Sequence, residues 1–290
     1  MQSLRRITVL SAGCLLLAAT FSLSPAAEPP AVAETYGDGA NPFLLATGSP
    51  GELGLLGALA TGFAKQTPAT LKWVKAGSGE SLDLLKSRQV DVIFVHAPTA
   101  ERQALEQGWG TGRVLVGSNE FFIVGPADDP ANVRQASSAV DAYRRIAEKQ
   151  AKFITRADDS GTHKKEMTIW KQAGVTPQGD WYIPTHAFMT ASLRKANEVG
   201  GYFMTDSSTW VTERGNVPKL TVLFRGDKVL VNTYHALLAP AGATPGRETA
   251  ARFVEFVGSE QGQQIMRNYG RDRYGEALYQ DAAYAKRYVD

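Results

Sequence analysis

Cysteine is nearly absent from this chain. Cys14 is the only one, so a disulfide framework and a cysteine-ligated zinc or iron–sulfur site are excluded beyond it. An excess of positive charge is missing too: 31 Lys and Arg stand against 29 Asp and Glu. Without residues 1–27 the chain loses Arg5 and Arg6 and no acid, which leaves 29 of each sign. A nucleic-acid binder needs a basic surplus, so that class is disfavoured and any attraction for anions must be local. The four histidines, His96, His163, His186 and His235, show no i, i+4 pairing, and none is expected to hold a metal. No G-x-S-x-G elbow and no G-x-x-x-x-G-K-[ST] loop occurs, which argues against a nucleophile-elbow hydrolase and against a nucleotide-hydrolysing enzyme. After residue 23 no apolar run is long enough to cross a bilayer, and internal repeats are lacking.

What is present begins with a targeting segment. Arg5 and Arg6 precede an uncharged, mostly apolar run from Ile7 to Leu23, and Ser24-Pro25-Ala26-Ala27 ends it in small residues. This is the pattern of a secretory signal peptide over 1–27, with export to the periplasm or beyond. Ser11-Ala12-Gly13-Cys14 has some likeness to a lipoprotein box, which would put a lipid on Cys14. The polar residue at 11 and the apolar run continuing past 14 favour a passive cysteine. Residues 28–41, rich in Ala, Pro and Gly, read as a linker.

The rest alternates strand and helix. Short apolar strands at Phe43–Thr47, Leu71–Ala76 and Val90–Val95 are separated by helical patterns, and strands follow near Val114 and Phe121–Val124. Gly125-Pro126-Ala127-Asp128-Asp129-Pro130 reads as a crossing to a second block. That block holds helices at 138–149, 190–199 and 207–214 and a strand at 219–224. Return strands through Val231 and Ala239 lead to two closing helices. The expectation is an α/β protein of two lobes, 42–124 with 232–290 and 125–231, hinged like a clamshell at two crossings. Ligands of open α/β sheets lie beyond the carboxyl ends of strands, at helix starts. Three junctions qualify: Thr47–Gly51, Gly77–Gly79 and Ala157–Gly161.

The third junction is the richest. Phe153-Ile154-Thr155 is a strand, Arg156 stands at its end, and Ala157–Gly161 turns into a helix carrying Met167, Trp170 and Ala173. Helix-start N–H groups and the helix dipole favour an anion there, and a guanidinium can fork onto two of its oxygens. Arg156, Ser160 and Thr162 are therefore candidate ligand contacts. Lys164 and Lys165 fall in the first turn, against the dipole. They read as solvated, with Glu166 offsetting them.

Arg156-Ala157-Asp158-Asp159-Ser160-Gly161-Thr162-His163-Lys164-Lys165-Glu166 resembles the signature of the tungstate-binding proteins of bacterial ABC transporters. The likeness continues through Trp170, Ala173-Gly174, Gly179-Asp180-Trp181-Tyr182 and Ala196-Asn197-Glu198, over nearly the whole chain after residue 27. It implies a type II periplasmic-binding-protein fold and capture of tungstate or molybdate in the interlobe cleft. Delivery to a permease and its ATPase, a monomer, no catalysis and no resident cofactor also follow from it. Such proteins carry a Thr/Ser-rich loop where this chain has Thr47-Gly48-Ser49-Pro50, with Leu53 in place of a hydroxyl residue. Thr47 and Ser49 are thus ligand candidates on the resemblance. On the residues alone, Ser49-Pro50-Gly51-Glu52 is a complete capping box, with Glu52 folding back on the Ser49 N–H. Ser78, in a Gly-x-Gly element, and Arg194 complete the candidates. Asn119-Glu120-Phe121 matches a structural element beside the first crossing. The altered 47–53 loop leaves phosphate or a small organic acid open as ligand, and Ser160 with His163 leaves a secreted hydrolase as the reading from another class.

Overall fold

The computed structural model describes residues 28–289. The signal-peptide and Cys14 readings lie outside the described residues. In chain order the elements are β1 (Val32–Tyr36), β2 (Asn41–Thr47), α1 (Ser49–Glu52), α2 (Leu55–Ala64), β3 (Ala69–Lys75), α3 (Ser78–Lys86), β4 (Val92–Val95), α4 (Pro98–Glu106) and β5 (Thr111–Pro126). There follow α5 (Ala139–Glu148), β6 (Phe153–Thr155), α6 (Gly161–Gln172), β7 (Tyr182–Pro184), α7 (Met189–Val199), β8 (Tyr202–Asp206), α8 (Ser207–Glu213) and β9 (Leu220–Phe224). β10 (Val231–Leu238), α9 (Arg247–Gly258), α10 (Glu260–Asn268), α11 (Arg271–Tyr274), β11 (Gln280–Asp281) and α12 (Ala282–Ala285) close the chain.

The first lobe is a mixed sheet in the order β1-β3-β2-β4-β10-β5. β2 runs parallel to β3 and β4, and β10 returns antiparallel between β4 and β5. β4, inside that sheet, is apolar on both faces because helices cover both. In β4, Val92 and Phe94 join the core with Phe43, Leu56 and Phe253, while Ile93 and Val95 join the core with Leu82, Leu85 and Leu237. That is the period of two expected of a strand buried on both sides. The second lobe continues from β5 through β8, β6 and β7. Its core is centred on Trp170, fully buried against Tyr143 and Phe153 at ring distances of 4.4 and 5.1 Å.

Two expectations about the frame are corrected. The 28–41 stretch is not only a linker: β1 lies antiparallel on β3, from Val32 opposite Val74 to Tyr36 opposite Leu71. Its Ala, Pro and Gly content hides a short edge strand whose pairing is supplied by β3. The crossing is not at Gly125–Pro130 either. The strands expected near Val114 and Val124 are one 16-residue strand, β5. It pairs with β10 as far as Glu120 and with β8 from Phe121 onward. At the change of partner the Glu120 N–H donates to the Ser207 hydroxyl at 3.2 Å, so it is satisfied without a loop. Gly125 and Pro126 end that strand inside the second lobe, pairing with Thr221 and Leu220.

Candidate functional site

β6 is only three residues long and wholly buried, so the chain leaves the second-lobe core at Arg156. The loop then passes through left-handed backbone at Ala157 (φ 49°) and Asp159 (φ 56°), a conformation that strains side-chain-bearing residues. The strain turns Asp158 inward. One carboxylate oxygen accepts from Arg156 Nε at 3.0 Å and from Nη2, and the other accepts from the Ser160 N–H at 3.2 Å. Arg156 is 4 % exposed and is held in place by this bridge. α6 starts immediately after, with Ser160 Oγ accepting from the His163 N–H at 3.3 Å.

The first lobe presents α3 against this loop. No side chain caps its start, and Gly77 supplies the turn into it. A Cβ on Gly77 would meet Ser160 Cβ at 3.4 Å, and one on Gly79 would lie 2.7 Å from Asp159 Oδ2. A Cβ on Gly161 would lie 2.4 Å from the His96 ring. The two lobes therefore touch across three glycines, and the N-termini of α3 and α6 face each other at close range. Between them is a small chamber of about 10 Å³, lined by Gly48, Ser49, Gly77, Ser78, Phe94 and His96 from the first lobe and by Arg156, Ser160 and Phe188 from the second. Tyr234 of β10 completes its wall, and burial raises the pKa of its hydroxyl, which stays protonated. The volume is about that needed for the centre of one water-sized group. Phe188 also lines a wide outer groove of about 710 Å³ with Lys75 and Arg194. Its ring stands between Lys75 Nζ, 4.4 Å from the centroid on the groove side, and Arg156 Cζ, 5.4 Å away.

Of the expected contacts, Arg156, Ser160, Ser78 and Ser49 come together in this chamber. Thr162 is buried in the first turn of α6 and is not part of the lining. Three readings are corrected. Thr47 is fully buried and its hydroxyl donates to the Phe94 carbonyl at 2.9 Å, because the β2–β4 pairing stops at Ala46 opposite Ile93 and leaves that β4 carbonyl to be satisfied. Ser49 is not the cap of a capping box: Gly48 is the N-cap, no side chain caps α1, and the Glu52 carboxylate pairs with Lys75 at 3.1 Å instead. The Ser49 hydroxyl points across the cleft to Asp206 Oδ2 at 3.4 Å. Arg194 lies outside the chamber on the exposed face of α7, where Glu213 takes its guanidinium at 2.9 and 3.1 Å.

The lysines of the first turn are also arranged differently. Lys164 pairs with Asp159, whereas Glu166 is 1 % exposed and accepts from Tyr182 Oη at 2.6 Å and Trp170 Nε1 at 3.2 Å. Burial pushes its pKa up to about 7. His163 Nδ1 accepts from the Asp159 N–H at 3.2 Å, and burial holds its pKa down. Among the described residues no hydrogen bond joins the Ser160 hydroxyl to the His163 ring, the contact a serine nucleophile needs. Sequence reasoning missed His96 and Phe188 as parts of the chamber. Neither sits in a polar motif. The one available signal was position, at the end of a buried strand for His96 and before a helix start for Phe188.

Two α/β lobes closed on a buried, donor-lined chamber at facing helix starts define a solute-binding protein of the periplasmic type. The sequence model of the PBP superfamily domain matches residues 24–261. A tungstate-binding protein, TupA, of Peptoclostridium acidaminophilum is 32 % identical over 95 % of this chain and 97 % of its own length. A solved tungstate ABC transporter protein from Geobacter sulfurreducens shares 33 % identity and superposes with a TM-score of 0.73, over 80 % of this chain and all of its own. The TupA structure from Desulfovibrio alaskensis G20 gives 34 % and 0.70, over 83 % and 99 %. The chain belongs to the TupA family within the PBP superfamily.

Proposed function

We propose that this protein captures a tetrahedral oxyanion, tungstate with molybdate as the second ligand, and delivers it outside the cytoplasm to an ABC permease and its ATPase. It acts as a monomer and by binding alone, without a resident cofactor. The observation that carries this reading is the buried Arg156 between the opposed starts of α3 and α6. Unpaired N–H groups and two dipole ends of the same sign converge there, an arrangement that a small anion relieves. The hydroxyls of Ser49, Ser78 and Ser160 surround the same space, and a chamber this small suits a compact inorganic ion better than an organic acid. The relatives named for tungstate supply the choice among oxyanions.

Calorimetric titration with tungstate, molybdate, sulfate and phosphate tests it. Tungstate and molybdate bind and the other two bind far more weakly. Arg156→Ala lowers tungstate affinity by about 100-fold or more, since the anion loses a buried donor and Asp158 is left as an unpaired negative charge beside it. Arg194→Ala, outside the chamber, stays within about twofold. No heat from any of the four anions, or an unaltered affinity in Arg156→Ala, defeats the reading.

A further inference from the structure

His96 stands in the chamber wall with its Nδ1 buried and without a hydrogen-bond partner among the described residues. An unpaired nitrogen in such a place is costly and calls for an explanation. The ring cannot easily turn away. Its backbone N–H donates to Ser78 Oγ at 3.2 Å, Tyr234 and Phe121 pack on it at ring distances of 5.0 and 6.1 Å, and Gly161 of α6 presses against it. The hydrogen bond to Asn232 keeps the neutral ring's proton on Nε2, which leaves Nδ1 an acceptor that repels the oxygens of an oxyanion. As an imidazolium it is a donor.

The charge around it leaves room for the second form. Arg156 already carries Asp158 on its guanidinium, so little of its charge is free for a guest. Asp206, buried across from Ser49, adds no cation. Resting on the oxyanion reading above, we propose that His96 is a further ligand-binding residue, whose Nδ1 takes one proton from solvent as the dianion enters. The site then binds the oxyanion and a proton together.

In the ligand-free chamber the groups facing His96 keep the ring neutral. Burial is the largest influence, followed by the positive charge of Arg156. Lys165 of α6 acts in the same sense, while Glu101 of α4 and a side-chain hydrogen bond with Asn232 of β10 oppose it. The pKa is pushed down to about 4. A dianion in contact reverses the dominant charge and raises it. Affinity for tungstate then falls about tenfold per pH unit as pH rises from the ligand-free value toward the bound-state value, because in that window the proton must be supplied from solution, and is flat above it.

The test is titration of the full chain, freed of its leader, with sodium tungstate at low concentration between about pH 6 and 8. Runs in two buffers of different ionisation heat give the proton count. Uptake of about one proton is expected, with none in His96→Gln, whose amide donates at every pH. In the wild type, ¹⁵N spectra of the four imidazoles report the same event without any substitution. Tungstate converts one of them to the doubly protonated pattern, and that signal is missing in His96→Gln. Should tungstate bind with no net proton uptake, or with all four rings neutral, the proposal is overturned and the oxyanion reading survives. If tungstate does not bind at all, both fall.

Discussion

Gly161→Ala separates closing of the lobes from folding of the chain. Gly161 opens α6 at a backbone angle open to any residue, so alanine is not strained there. Within the second lobe alone the change favours the helix, by up to about 1 kcal/mol. Across the cleft it collides. The new Cβ lies 2.4 Å from His96 Cε1 and 2.5 Å from Nδ1, about 1 Å inside ordinary contact. The ring is packed by Tyr234 and Phe121 and its backbone is held by Ser78, so relief has to come from the lobes standing apart. Overpacking of this kind costs about 1–3 kcal/mol, which falls on the closed, ligand-holding form only. Tungstate affinity therefore drops by about 5- to 150-fold, while the melting temperature without ligand holds or rises. Calorimetry gives the first quantity and thermal unfolding the second. An affinity within about twofold of wild type would show that closure does not bring Gly161 onto His96. An equal loss of ligand-free stability would show that the contact belongs to the fold and not to a moving cleft.

Two further outcomes follow from other contacts. Glu166 has a folded-state pKa of about 7 against an ordinary value of 4.5. The native state thus holds a proton that the unfolded state has lost between those values. Glu166's contribution to stability is complete below about pH 4.5, declines as pH rises to 7 and is flat above, a span of at most about 3 kcal/mol. Glu166→Gln removes this slope and is the more stable variant at pH 8 in denaturant titrations. A wild-type stability that climbs in parallel with the variant's between pH 5 and 7 would contradict the assignment. Phe188→Ala removes the ring between chamber and groove, together with contacts to Lys75 and Arg156 worth about 1–2 kcal/mol. Stopped-flow tryptophan fluorescence should find tungstate leaving about 5- to 30-fold faster. An unchanged dissociation rate would mean the ring does not bar the way out.

The parts of this site that were legible in the sequence are those whose chemistry is local. The α6 start announces itself in one stretch, because strand end, turn, cap and guanidinium are neighbours in the chain. The same holds for Gly77 and Ser78 at the start of α3. The failures are decided at a distance. Arg194 is disposed of by Glu213, 19 positions away on α8. Glu52 has a capping partner in sequence and takes Lys75 of β3 in space, so a complete local pattern lost to a charge from the next strand. The Thr47 hydroxyl is claimed by Phe94 on the adjoining β4. β5 looked like two strands because its partner changes within it, and partner identity leaves no mark on composition. His96 and Phe188 are brought to the chamber only when the two lobes meet.

A count of charge shows why the guanidinium alone does not explain this chamber. A dianion brings two negative charges into this buried chamber. Arg156 contributes one positive charge, and Asp158 on its Nε and Nη2 takes it back. Each helix start supplies roughly half a charge, so α3 and α6 together give about one. About one more is required, since a buried uncompensated charge is far too costly to persist. Lys75 is screened by Phe188 and is paired with Glu52, so it acts on the groove and not on the chamber. The group in the wall able to change its charge by one in the required sense is His96, because Tyr234 is held protonated and Asp206 does not line the chamber. Asp158 then has a reason to be there. With the chamber empty it keeps the buried guanidinium paired, and on binding the proton carries the extra positive charge in and out with the ligand. Release at the permease, which needs only that the lobes part and water reach His96, lets that proton leave with the anion.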